Sequence, residues 1–177
     1  TLAAKPGLVA RKDGNAAANL GRGKAVEAVY EVPFLAHACM EPMNCVVQLS
    51  ADKCEIWNGE QFQTPDQMAV AALTGLKPEQ VSITMLFAGG SFGRRANPKG
   101  DYVLEAVSIA KAIQGRAPVK MVWTREDDTR AGWFRPMYVH NVKASVDGSG
   151  KVGAWQHRVV GQSIMKGSPF EGFIQKG

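Results

Sequence analysis

Between Ala88 and Arg95 the chain reads Ala-Gly-Gly-Ser-Phe-Gly-Arg-Arg. Glycines at 89, 90 and 93 let backbone N–H groups approach a ligand closely, because no Cβ stands in the way. Arg94 and Arg95 add planar donor forks suited to phosphate or carboxylate. The spacing is neither that of a P-loop nor that of the dinucleotide G-x-G-x-x-G turn. As a plain connection the same residues would be turn glycines and solvated arginines. A second segment, Trp57-Asn58-Gly59-Glu60-Gln61, sets a neutral amide just before a helix start. The Gln61 amide donates and accepts at once, so it suits a ligand near that helix N-terminus, or simply a solvated turn.

Other chemistry-bearing residues read as structural. His37 and Glu41 stand four apart, but a zincin needs a second His and a Glu between the two. Pro33 and Pro42 fence the segment, and a buried His–Glu hydrogen bond is expected. Cys39, Cys45 and Cys54 form no C-x-x-C pair, so buried thiols are expected rather than zinc ligands or disulfides. Thr124-Arg125-Glu126-Asp127-Asp128 reads as a charged surface turn in which Arg130 pairs with Glu126 or Asp128. Arg135, close to Trp133 and Phe134, reads as a stacked arginine. His140 and His157 fall inside strands, and no Ser-His-Asp order is present.

These residues need elements to position them. Residues 25–32, 46–49, 53–57, 81–87, 119–123, 137–146 and 152–160 read as strands, the last two as a hairpin joined by Asp147-Gly148-Ser149-Gly150. A helix is expected from Thr64, with Thr64 as cap, Pro65 at the first position, Gln67 closing a capping box and Gly75 as stop. A second runs from Asp101 to Gln114, apolar at 103, 104, 106, 107, 110 and 113 and so deeply packed. The order β-β-β-α-β-α-β-β-β predicts an α+β fold of mixed β-sheet layers with two main helices. Residues 1–23, mixed Ala, Gly, Lys, Arg and Asn, read as a linker or tail.

With 177 residues, 45% apolar and 21% charged, the chain suits one globular domain and is not disordered as a whole. Lys+Arg 21 against Asp+Glu 16 gives +5 and a pI near 9.2, a lean toward anionic partners. No apolar run is long enough for a transmembrane helix. The start at Thr1, without a signal-peptide pattern, and the unmarked end read as those of a piece of something longer.

Taken in order, Tyr30-Glu31-Val32-Pro33-Phe34 with His37 to Pro42, Trp57 to Gln61, Gly89 to Arg95, and Trp123 to Asp128 with Arg135-Pro136 resemble one family. It is the molybdopterin-binding large subunit of the xanthine dehydrogenase/aldehyde oxidase family, and the isoquinoline 1-oxidoreductase beta-subunit branch in particular. The resemblance covers about residues 25–160 and implies that residues 24–177 are part of a molybdopterin-binding domain. It implies an oxidoreductase that hydroxylates an N-heterocycle or aldehyde with water-derived oxygen. The cofactor would be molybdopterin, with the cytosine dinucleotide as one form, and the iron–sulfur clusters would lie in a small partner subunit.

By the same resemblance Gln61 corresponds to the glutamine that hydrogen-bonds the molybdenum oxo group. Phe92 and Gly93 lie beside the metal and substrate channel, Gly89 and Gly90 shape the loop, Arg94 faces the pterin or its phosphates, and Arg135 orients substrate. The chain departs from the family at Cys39, where proline is common, and at Glu60, where threonine is common. Ala96 replaces the glutamate of purine-oxidising members and argues against purines. The catalytic glutamate and the rest of the cofactor cage lie outside this chain, so no catalytic residue and no metal ligand is expected within it. Periplasmic or membrane-associated residence in a bacterium is implied, the cytoplasm otherwise. The competing reading is a non-catalytic basic module that binds a ligand or nucleic acid through the arginine loop.

Overall fold

The computed structural model describes residues 4–168 and 170–174. In chain order the elements are α1 (Ala16–Asn19), β1 (Lys24–Val32), β2 (Asn44–Leu49), β3 (Cys54–Asn58), α2 (Gln63–Thr74), β4 (Val81–Met85), α3 (Asp101–Ala112), β5 (Val119–Val122), α4 (Arg125–Arg130), β6 (Tyr138–Val146) and β7 (Val152–Gly161). The α+β order read from the sequence is present, with two short helices added to it. The chain folds as two compact units. Ala36–Arg135 forms one; the residues before it and Pro136–Lys166 form the other. The chain divides there because β1 pairs with β6, the strand that follows the whole inserted unit.

The inserted unit carries a four-stranded sheet in the order β4-β3-β2-β5. β2 is antiparallel to β3 and β5, and β3 runs parallel to β4. Period-2 alternation buries Cys45 and Val47 of β2 and Cys54 and Ile56 of β3 on one face. Val70 and Ala71 of α2 and Tyr102, Val103, Ala106, Val107 and Ala110 of α3 pack into the same core. The three cysteines are buried and free. Burial pushes the Cys45 thiol up to about 12 and the Cys54 thiol up to about 11, so both behave as small apolar groups.

The other unit is an antiparallel sheet in the order β1-β6-β7. In the β6–β7 turn the Asp147 carboxylate accepts the N–H groups of Ser149 and Lys151, and these bonds hold its carboxyl below the usual range. Within the stretch read as tail, Ala16–Asn19 forms one helical turn capped by the Asn15 side chain.

Two local expectations differ. Helix α2 begins at Gln63, not at a Thr64 cap: its N-cap is Phe62, with no side-chain cap. The Glu60 carboxylate takes the N–H groups just before the helix, and Gln67 turns to the carbonyls of Pro78 and Val81 instead of closing a box. The charged stretch after Thr124 is a helix, α4, rather than a turn. Thr124 Oγ1 accepts the Asp127 N–H while the Asp127 carboxylate accepts the Thr124 N–H, a complete capping box. Three acids in its first turn suit the helix dipole. Asp128 pairs with Arg125 rather than Arg130.

Helix α3 ends at Ala112, and the chain turns through Gln114 and Gly115, both at positive φ. At Gly115, φ +66°, a Cβ would collide with the Leu49 carbonyl. Gly115→Ala is therefore expected to lower stability by about 1–3 kcal/mol, whereas Gly148→Ala, at an open turn position without positive φ, should shift it by less than about 0.5 kcal/mol. Urea unfolding midpoints of the two variants check this.

Candidate functional site

Adjacent parallel strands β3 and β4 end level with one another: Asn58 pairs with Met85, and Leu86 donates its N–H to the Asn58 carbonyl at 2.8 Å. The segment after β3 leads to Gln61, and the segment after β4 is the glycine–arginine loop. Both candidate segments therefore leave the carboxyl ends of neighbouring parallel strands, where α/β sheets hold ligands.

Arg95 joins them. Its side chain is fully buried (0% exposed). Nη1 donates to the Gly59 carbonyl at 3.0 Å, Nε reaches the Gly90 carbonyl at 3.4 Å, and Nη2 lies 3.6 Å from the Glu41 carboxylate. Its guanidinium also sits 6.0 Å from the Tyr102 ring centroid. The Tyr102 hydroxyl donates to the same Gly59 carbonyl at 3.1 Å and accepts from Asn58 Nδ2 at 3.1 Å. Glu41 completes the clamp: its carboxylate accepts the Gly89 N–H and the Asn44 amide, and its own N–H donates to the Gly89 carbonyl. These bonds and Arg95 hold the Glu41 carboxyl below its usual range, the Gly89 amide having the largest effect.

The rest of the loop is strained and open. Gly90 and Gly93 sit at φ +99° and +94°, and Phe92 itself at +53°. A β-substituted residue in that region stores strain. Phe92 is 71% exposed, and nothing lies within 4 Å of where a Gly93 Cβ would be. Cys39 Sγ donates to the Ser91 carbonyl at 3.4 Å.

Arg94 turns inward. It is 2% exposed, bonds Asp101 with both terminal nitrogens at 3.2 and 2.8 Å, and lies 5.3 Å from the Trp123 ring. The expectation of solvated arginines is thus corrected for both residues. Their partners, Asp101 at the start of α3 and the Gly59 and Gly90 carbonyls, are inside the fold.

Glu60 also turns inward, at 6% exposed. Oε1 accepts the Gln61 and Phe62 N–H groups at 2.7 and 3.0 Å, and Oε2 accepts Asn58 Nδ2 at 3.0 Å. Next to it on α2 lies buried Asp66. Burial, the Glu60 charge and a hydrogen bond to Glu60, with Asp101 beyond, raise the Asp66 carboxyl from 3.8 to about 8.

Of the residues singled out from sequence, Gln61, Gly89, Gly90, Phe92 and Gly93 lie on the two segments that Arg95 ties together. Gln61 is exposed and its amide makes no hydrogen bond to the described residues. Arg135 is exposed on a separate segment, and its charge acts with burial and Arg94 to lower the His37 imidazole below its usual range. The expected His37–Glu41 bond is not formed: His37 lies toward the Trp133 backbone, and Glu41 serves Gly89, Asn44 and Arg95. The building roles of Glu41, Arg95 and Tyr102 were not legible, because each acts on a partner remote in sequence; that of Asp66 was hidden because only the fold turns it and Glu60 inward together. Among the described residues no group of three or more His, Cys, Asp and Glu side chains could hold a metal ion, and no helix is long and apolar enough to cross a membrane.

A profile of the molybdopterin cofactor-binding domain matches residues 3–170. The beta subunit of isoquinoline 1-oxidoreductase from Brevundimonas diminuta is 34% identical over 139 residues, 77% of this chain and 16% of that protein. A membrane-bound aldehyde dehydrogenase [pyrroloquinoline-quinone] of Gluconacetobacter polyoxogenes is 30% identical over 148 residues, 84% of this chain and 19% of its own length. The chain thus spans under a fifth of these relatives. Among solved structures, quinoline 2-oxidoreductase from Pseudomonas putida 86 superposes with a TM-score of 0.64 at 18% identity, over 84% of this chain and 19% of that one. Aldehyde oxidoreductase from Desulfovibrio gigas gives 0.63 at 20% identity, over 84% and 16%. These two likenesses concern the fold.

The Glu60–Asp66 pair makes stability depend on pH. Below about pH 4 both folded and unfolded chains hold the Asp66 proton; between there and about pH 8 only the folded chain does. A proton bound more tightly in the folded state loses its stabilising effect as pH rises through that window. Asp66→Asn keeps a donor toward Glu60 and does not titrate. Its unfolding free energy is expected to gain on the wild type steadily from pH 5 to pH 8 and to run parallel to it above. Urea unfolding at half-unit steps of pH measures the difference.

Proposed function

The chain belongs to the molybdopterin cofactor-binding domain family, and on that premise we propose that its Gln61 turn and its Gly89–Gly93 loop form one wall of a molybdenum–pterin site in an oxidoreductase. The observation that carries this reading is the contrast within those two segments. Their backbones are clamped by buried Arg95, yet the Gln61 amide, Phe92 and the open side of Gly93 face outward without a protein partner. That donor set fits the group: a free amide, an approachable backbone and an aromatic edge suit a flat, polar, multiply hydrogen-bonding cofactor.

When bound, the cofactor supplies the two-electron oxidation that inserts water-derived oxygen into an N-heterocycle or aldehyde. This chain's part is to bind and to orient. Gln61 offers a donor and an acceptor to the cofactor. Gly89, Gly90 and Gly93 let the loop backbone come close. Phe92 stands as a wall against which a flat substrate stacks. Arg94 acts through the loop it fastens to Asp101, and Arg135 orients substrate from its own segment. The general acid–base group and the rest of the cage come from the remainder of the large subunit, and iron–sulfur clusters in a small partner subunit take the electrons. The cytosine dinucleotide form of the cofactor and a periplasmic or membrane-associated location in a bacterium belong to the same reading. The competing basic-module reading loses its main feature, since Arg94 and Arg95 are buried and engaged by internal acceptors and present no cationic surface to nucleic acid.

Gly93→Val and Phe92→Ala in the complete enzyme, assembled in a cofactor-producing host, separate binding from turnover. Gly93→Val is expected to lower molybdenum content and turnover together by at least about tenfold, since displacement by a side chain at the closest approach misplaces the cofactor. Phe92→Ala is expected to keep the molybdenum and raise KM. Elemental analysis and steady-state kinetics read the two effects, and full metal content with full turnover in both variants would falsify the assignment. The 177-residue chain purified alone from the same host is expected to carry under about a tenth of an equivalent of molybdenum, because one wall offers too few contacts to offset the entropy of binding.

A further inference from the structure

We propose that Glu60 is the positioning residue for Gln61: its buried carboxylate, bonded to two consecutive backbone N–H groups, sets the direction in which the Gln61 amide meets the cofactor. The inference rests on the cofactor reading given above and concerns a residue to which that reading assigns no role.

Three observations carry it. The first is which N–H groups the carboxylate takes. Helix α2 begins at Gln63 with Phe62 as its N-cap, so its orphan donors start at the Phe62 N–H and the Gln61 N–H lies outside the helix. Glu60 bonds both. One bond serves the helix start; the other orders the turn and has no helical purpose.

The second is cost. A carboxylate at 6% exposure has lost most of its hydration, and Asp66 places another acid against it. Burying charge in this way is unfavourable unless the bonds made are specific. Besides the one to Asp66, its hydrogen bonds lead to the turn and to Asn58 at the end of β3. Asp66 supports the arrangement through its hydrogen bond to Glu60, while Arg95 and Tyr102 face the same turn from the loop and from α3.

The third is convergence on one residue. The Gly59 carbonyl is held by Arg95 and Tyr102, and the two peptide groups on either side of Gln61 are held by Glu60 through the Gln61 and Phe62 N–H groups. Gln61 has a fixed backbone on both flanks and an exposed, unengaged side chain. A fold that needed only a turn here would not have to clamp both peptide groups; a preorganised hydrogen-bonding group requires it.

The test is a double-mutant cycle in the complete enzyme, with amide hydrogen exchange on the peptide spanning residues 61 and 62 in protein freed of cofactor. Glu60→Ala is expected to speed exchange at that peptide at least about tenfold and to lower kcat roughly 10- to 100-fold, with KM little changed. Glu60→Gln retains one acceptor oxygen for both N–H groups and should restore exchange protection and most of kcat. Added to Gln61→Ala, Glu60→Ala should cause no further loss of kcat, because it acts through the side chain already removed. Additive losses, or unchanged exchange in Glu60→Ala, would overturn the positioning role while leaving the cofactor site intact. A silent Gln61→Ala, with full molybdenum and full turnover, would instead sink the cofactor reading of this turn and the proposal together. If Glu60→Ala fails to fold, protection and kcat in Glu60→Gln decide: loss of protection at residues 61 and 62, with the fold retained, refutes the positioning role.

Discussion

A guanidinium with no access to water must find its hydrogen bonds inside the protein, and the inserted unit is organised around that demand of Arg95. It reaches the Gly59 and Gly90 carbonyls and the Glu41 carboxylate, which belong to three separate stretches of chain. A buried cation costs several kcal/mol of lost hydration unless it is paired and hydrogen-bonded. Every acceptor around Arg95 is therefore constrained, and the constraint passes to what those acceptors carry: the Gln61 turn through Gly59, the open loop through Gly90, and the Gly89 amide through Glu41.

The sheet explains why those stretches are neighbours. β3 and β4 are parallel and end level at Asn58 and Met85, so the chain must leave both strands on the same edge. Helix α2 makes the crossover that parallel pairing requires. Helix α3 then supplies Asp101 for Arg94 and Tyr102 for Gly59 from consecutive positions of its first turn. Packing of an apolar helix face thus fixes both polar clamps. At the helix start, Gly100 takes φ +55°, and a Cβ there would lie 2.7 Å from the Asp66 carboxylate. Only glycine lets α3 begin so close to the acid pair.

In this unit several charged side chains turn inward, while the residues proposed to meet the cofactor face out. Arg94, Arg95, Glu60 and Asp66 are buried, whereas Gln61, Phe92 and Gly93 are exposed. The division has a physical logic. Inward-facing ionic groups make directional bonds in a low-dielectric interior and stiffen the backbone. The outward-facing groups are neutral, so in the proposed site they would meet a cofactor without a large desolvation penalty of their own.

The sequence by itself determined what depends on neighbours along the chain. Period-2 burial in β2 and β3, the apolar face of α3, the Gly75 stop and the Asp147–Gly150 turn were legible because each is a local backbone or patterning requirement. So were the family motifs around Gln61 and Gly89–Gly93. The Thr124–Asp127 capping box was legible too, and its mixed charges masked it. What the sequence left open was the direction of charged side chains. Arg94 and Arg95 read as solvent-facing donors, Glu60 as an unplaced charge and His37 as Glu41's partner. Arg95 bonds a carbonyl 36 residues upstream, Glu41 an amide 48 residues downstream, and α2 begins where Glu60 leaves it rather than at its own cap. The tertiary structure alone decided these, because whether a charge faces water or the interior depends on acceptors that only the folded chain brings within reach.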